Sequence, residues 1–114
     1  MSLVTLQNIW GFPSLNAATA PATGSACPVP PFLATAIGVQ PVGIFSAATI
    51  IIEGSLDGIT FTTLATITNP TSGAITFIAN MPVAAIRARM TAFTGTSISV
   101  YITSVNEASV YSTL

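Results

Sequence analysis

Charge is the scarcest commodity in this sequence. Of 114 residues only 4% are Asp, Glu, Lys or Arg, against about 25% in an ordinary soluble domain. The charged residues are Glu53, Asp57, Arg87, Arg89 and Glu107; lysine and histidine are absent, and the net charge is -1. The missing histidine and lysine remove the usual bases that activate a serine or cysteine nucleophile, and no G-x-S-x-G elbow is present. Phosphate contacts need several cations, so two arginines argue against a nucleic-acid partner. Cys27 is the single cysteine, which excludes an intrachain disulfide and makes a small, buried or half-buried hydrophobe of that residue.

A mean hydropathy of +0.79 would suit a membrane protein, yet long apolar runs are lacking too. A spanning helix needs about 20 predominantly apolar residues, and the most apolar stretch, 34–52, is interrupted by Gly38, Gln40, Pro41 and Gly43. The amino-terminal stretch has no basic region, and Trp10-Gly11-Phe12-Pro13 breaks its apolar pattern, so no secretory signal is read there. With neither a membrane nor a charged surface to keep it soluble, the chain fits a permanent assembly. Obligate interfaces are apolar and depleted of charge at their centres.

What is present is β-branched, punctuated and alternating. From residue 48 onward, 49–53 reads as a strand, 54–58 as a turn and 61–67 as the returning strand of a hairpin with a loop longer than two residues. Asn69-Pro70-Thr71-Ser72-Gly73 is a second turn, and 75–78 a short strand. Residues 85–91 alternate, with Ile86, Ala88 and Met90 on one face and Arg87, Arg89 and Thr91 on the other. A turn is expected over 93–96, then a strand over 97–103 with Ile98, Val100 and Ile102 inward, and a last strand over 108–112. No segment has a 3.6-residue period. The pattern predicts an all-β, antiparallel β-sandwich of jelly-roll type.

Six of the eight prolines precede residue 47: Pro13, Pro21, Pro28, Pro30, Pro31 and Pro41. Proline removes a ladder donor and fixes φ, so residues 1–47 are expected to form an extended, proline-rich N-terminal arm with edge strands at 3–9 and 32–39. Residues 48–114 are then the sandwich core. Trp10, Phe12, Phe32, Leu33, Ile37, Val39 and Phe45 are too apolar for a solvated tether, so the arm is expected to pack over its own sheet or a neighbouring subunit, with Trp10, Phe12, Phe32, Leu33 and Phe45 as the candidate interface. Such an arm would be separable: removing residues 2–31 should leave the sheet folded.

The remaining candidate sites are electrostatic. Glu53 and Asp57 are the only neighbouring carboxylates, and a glycosidase pair or a calcium site is conceivable there. Support of the hairpin turn by Asp57-Gly58 explains them more simply. Arg87 and Arg89 share one strand face: they could recognise an acidic partner, but pairing with Glu53 or Asp57 across the sheet is favoured because it avoids leaving them uncompensated in a covered surface. Trp10, Tyr101 and Tyr111 have faces on which a sugar could stack, although aromatics in an all-β chain more often serve core or interface. No catalytic residue, cofactor or metal ligand is assigned.

The segments 52–61, containing Gly54-Ser55-Leu56-Asp57-Gly58, and 86–101, an arginine-bearing strand followed by a Thr/Gly turn, resemble small jelly-roll proteins of tailed-bacteriophage virions. A weaker similarity is to discoidin-like (F5/8 type C) carbohydrate-binding domains, whose sugar-binding loops are richer in aromatic and charged groups. The phage resemblance implies a structural virion component. Foremost is a capsid decoration (cement) protein made in the host cytoplasm, a homotrimer or other homo-oligomer on the capsid surface with the major capsid protein as partner. A minor tail or head–tail protein, or a carbohydrate-binding module of an adsorption apparatus, are the alternatives.

Overall fold

The computed structural model describes residues 11–28, 35–78 and 83–106, and the regular elements within them are all strands. In chain order they are β1 (Phe12–Ala18), β2 (Ala22–Thr23), β3 (Cys27–Pro28), β4 (Thr35–Ser55), β5 (Thr62–Thr68), β6 (Thr76–Ile78) and β7 (Ala85–Asn106). Every pairing is antiparallel.

The fold is organised by one long ribbon. β4 and β7 pair from Thr35 opposite Asn106 to Ser55 opposite Ala85. Straight strands of 21 and 22 residues would reach roughly 70 Å, but the molecule measures 44 Å in its longest dimension. The ribbon is therefore folded over. Its corner lies where the register shifts, around 44–47 in β4 and 93–97 in β7, as expected where a strand passes between packed sheets through bulges. At this corner Gly95 lies against the other strand so closely that a Cβ there would stand 2.4 Å from the Cα of Phe45.

Folding the ribbon creates two layers. The first contains β1, the second half of β7, the first half of β4, and β6. The second contains β2 and β3, the first half of β7, the second half of β4, and β5. This distribution of a rolled double ribbon over two antiparallel sheets is that of a jelly-roll-like sandwich. One face of the ribbon turns inward throughout. Ile37 and Val39 from one half of β4, Ile50 and Ile52 from the other, and Ile86, Ala88, Met90, Ile98, Val100 and Ile102 from β7 join a single buried cluster. The inward positions in β4 change from odd to even across the corner, which the bulges there accommodate.

Three expectations are corrected by this architecture. Residue 47 is not a boundary between arm and core: β1, β2 and β3 pair with β7, and residue 47 sits inside β4 at the corner. Removing residues 2–31 would thus strip an edge from both layers. Secondly, 93–96 is not a turn ending a strand but the bend of a continuous β7. Thirdly, Pro41 does not interrupt β4. Gly43 donates its N–H to Ser72 Oγ at 3.0 Å, and residues two apart in a strand point their amides the same way. The missing donor of Pro41 therefore faces the 70–73 loop rather than β7, and its carbonyl accepts from Gly73 N–H at 2.7 Å. Pro13 and Pro28 lie on the edge strands β1 and β3, where proline is tolerated. The strands expected over 3–9 and 108–112 lie outside the described residues, as does the beginning of the one expected over 32–39.

One buried hydroxyl joins the two layers at their edge. Ser14 of β1 donates to Ser25 C=O at 2.8 Å and accepts from Ala88 N–H at 2.9 Å, filling the gap in the ladder between β2 and β3. Ser14→Ala leaves Ala88 N–H unpaired in a buried position. The expected loss is about 1–3 kcal/mol of stability, read as a lower urea midpoint with an unchanged m-value.

Candidate functional site

The outer face of the first layer is built from alternate residues of β4 and β7. Gly38, Gln40, Val42 and Ile44 point outward opposite Thr103, Tyr101, Ser99 and Ser97, because Val39, Val100 and Ile102 of the same strands are committed to the core. Phe77 of β6 stands opposite Gly38 and is 69% exposed; Ile44 is 72% exposed. Ile75 and Val42 are exposed as well. The same layer carries a hollow of ≈ 490 Å³ lined by Gly11, Gly38, Gln40, Ile75, Tyr101 and Thr103. It exists because Gly38 contributes no side chain: a Cβ there would project to within 3.2 Å of the Thr103 methyl. Gln40 is fixed at one side by donating to Gly73 C=O at 2.9 Å.

The outer face of the second layer is electrostatic instead. Glu53 stands opposite Arg87, and Arg89 stands opposite Ile51 one step along. Arg87 Nε donates to Glu53 Oε1 at 2.9 Å, and Arg89 Nε to Oε2 at 3.0 Å. The carboxylate side chain is only 8% exposed, the two arginines 27% and 35%. The Arg87 guanidinium also lies over the Phe61 ring, 3.8 Å from its centroid, a cation–π contact that restricts its rotamers. Burial raises the Glu53 pKa, but the two arginine hydrogen bonds and charges outweigh it, so the carboxyl titrates below its ordinary value.

Asp57 takes no part in this cluster. Its Oδ1 accepts from Thr60 N–H at 2.7 Å, Ile59 N–H at 2.8 Å and Ser55 Oγ at 2.8 Å, closing the hairpin loop. Those donors, the backbone amides first, hold its carboxyl well below the usual range. The expected Asp57–arginine pair is corrected accordingly: two backbone amides in its own loop satisfy the carboxylate locally.

Both carboxyls are depressed on folding, from ordinary values of 4.5 for Glu53 and 3.8 for Asp57. The folded state therefore binds fewer protons than the unfolded one in acid. Stability from these groups is complete above the ordinary carboxyl range and is lost as pH falls through the folded pKa values. Urea midpoints are expected to stay level from neutrality down to about pH 5 and to fall below it. Glu53→Gln or Asp57→Asn should flatten the acid limb, and an unchanged limb in both would refute the assignment.

The candidate interface residues of the sequence are separated by the fold. Phe12 pairs with inward-facing Ile102 and is half-buried, and Phe45 packs against the core at the corner. Both therefore pack on the chain's own sheets, one of the two placements expected of the arm, because β1 and β4 are integral to the layers. Trp10, Phe32, Leu33, Glu107 and Tyr111 lie outside the described residues. Cys27 is half-buried against the core, and burial pushes its thiol pKa up, away from nucleophilic reactivity. Among the described residues no group of three or more His, Cys, Asp or Glu is placed to hold a metal ion, and no helix is long and apolar enough to cross a membrane. The exposed residues Ile44, Ile75 and Phe77 were not singled out from sequence. The available signal was outward parity, once Val39 and Ile78 are known to face inward.

No protein family and no curated protein matches the sequence. Among solved structures, the chain is similar to the SPBc2 prophage-derived protein YomS, with a TM-score of 0.67 and 15% sequence identity. The likeness covers 83% of this chain and 91% of that one. At such low identity it establishes a shared fold.

Proposed function

We propose that this chain is a structural subunit of a tailed-bacteriophage particle, docked through the outer face of its first layer. The specific role we infer is capsid decoration, in which a homotrimer or other homo-oligomer binds and stabilises the shell of major capsid protein. One observation carries the reading. All four charged side chains among the described residues, Glu53, Asp57, Arg87 and Arg89, belong to the second layer or its hairpin loop. Among the described residues the first layer exposes Ile44, Ile75, Phe77 and Val42 and carries no charged side chain, the composition of an interface centre rather than a free surface. The prophage origin of the similarly folded YomS supports a phage setting.

The experiment is addition of purified protein to decoration-free shells, comparing wild type with Ile44→Asp/Phe77→Asp. Both sites are exposed, so the isolated fold should tolerate the charges, whereas a docked carboxylate is costly to desolvate. Occupancy of the double variant should fall by about tenfold or more. Equal occupancy would overturn the docking face, and binding at tail rather than shell sites would assign the protein to the tail.

A second reading has one observation in its favour. Tyr101, Gln40 and Thr103 line the first-layer hollow, and an aromatic ring among polar neighbours can seat a sugar. Saturable binding of the isolated protein on a glycan array, lost in Tyr101→Ala, would favour an adsorption module.

A further inference from the structure

The two arginines of the second layer are held in place but not used up. Each spends its Nε on Glu53, and among the described residues neither Nη group makes a hydrogen bond. A guanidinium offers five N–H donors in a planar fork, so the Nη groups of these two partly exposed arginines keep donors to offer. The three-residue cluster combines two positive charges with one negative, a local excess of one; the layer's other charge, Asp57, is engaged by donors of its own hairpin loop. Around it the face is neutral: Thr23 pairs opposite Arg89 and Thr63 opposite Glu53, and both are exposed.

Such fixing is more than ion pairing of this exposure ordinarily requires. Long side chains resist being held, and an exposed pair gains little from it. Here Glu53 anchors both arginines through their Nε groups, and the face of Phe61 lies against the Arg87 guanidinium. The entropy of ordering the forks is thus already spent, which is the condition for tight recognition of a planar anion.

We propose that Arg87 and Arg89 form a receptor for one carboxylate side chain, an Asp or Glu presented by a neighbouring protein subunit. The single excess charge matches one carboxylate. It is too small for a nucleic-acid backbone, whose binding depends on neutralising several phosphates together. Threonine hydroxyls at the rim supply further donors or acceptors for the backbone that carries the acid. The site lies on the layer opposite the apolar docking face, so it stands or falls separately from that reading and gives the subunit a second contact of different chemistry.

The test is a titration of the isolated ¹⁵N-labelled protein, following the Nε–Hε resonances of Arg87 and Arg89. The probes are an acetylated hexaglutamate peptide, inorganic phosphate and an oligothymidylate. Saturable shifts with the peptide at a dissociation constant of roughly 1 mM or tighter, weakened by about tenfold in Arg89→Gln, are the expected result. Arg89→Gln keeps Glu53 paired with Arg87, and a wild-type-like amide spectrum verifies that the variant is folded. Should it fail to fold, Arg89→Lys replaces it, retaining the charge but losing the planar fork, with weaker peptide binding again expected. No saturable shift, equal binding by the Arg89 variant, or binding of phosphate or oligothymidylate as tight as that of the peptide would each overturn the proposal.

Discussion

Arg87→Ala/Arg89→Ala is expected to lose about 3 kcal/mol of stability at neutral pH, more than Glu53→Ala loses. The asymmetry follows from burial. Glu53 is covered and both its oxygens accept from arginine; removing the donors leaves an uncompensated carboxylate, a change that costs about 3–5 kcal/mol where the site stays closed. Alanine at both positions partly uncovers Glu53, which places the value at the low end. Removing Glu53 instead leaves two guanidiniums that already reach water, and about 1–2 kcal/mol is expected. The double-arginine deficit should shrink in acid as Glu53 takes up a proton. Urea denaturation at neutral pH and near pH 3 checks both statements, and a double variant within about 1 kcal/mol of wild type at neutrality would contradict the anchoring role of the arginines.

Gly95→Ala should be nearly as damaging, although it adds one methyl group at an exposed position. The added Cβ would meet Phe45 Cα at 2.4 Å and Ile44 C=O oxygen at 2.7 Å. Main-chain atoms cannot rotate aside as a side chain can. Either the corner opens, separating the halves of the ribbon, or β7 shifts against β4. Overpacking of this kind costs about 1–3 kcal/mol, and the main-chain obstacle argues for at least about 2 kcal/mol. Thermal unfolding measures it; a wild-type midpoint would mean that the two strands do not cross so closely.

Gly95 also shows why the sequence was legible only in part. The strand content, the inward faces of 86–90 and 98–102, the 61–67 return strand and the sandwich class were all readable, because alternation is a local signal. The corner was not. A Thr/Gly cluster over 93–96 looks the same whether the chain ends a strand there or bends a continuous one, and only the pairing of β7 with β4 decides. Pro41 misled for a related reason: whether a missing N–H matters depends on which neighbour that side of the strand faces. The arm was inferred from proline density, yet Pro13 and Pro28 occupy edge strands of the layers. At the sites, charge opposition correctly suggested Glu53 with Arg87 and Arg89, since the residues alternate onto one face. Asp57 was drawn instead by backbone amides in its own loop, a local competition that side-chain spacing does not show. The apolar outer face of the first layer was hidden because its members come from β4 and β6 and from the 69–75 connection, brought together by the fold.

On the proposed docking, the first-layer face, which carries no charge among the described residues, is covered in the assembled particle while the second layer carries the charge. Hydroxyl-radical footprinting of purified particles against the isolated protein tests it most directly. Protection of Ile44, Phe77 and Tyr101 in the particle, strong at all three together, is the predicted result. Labelling of these three residues at the rate of the isolated protein, in particles that contain the chain, would contradict it.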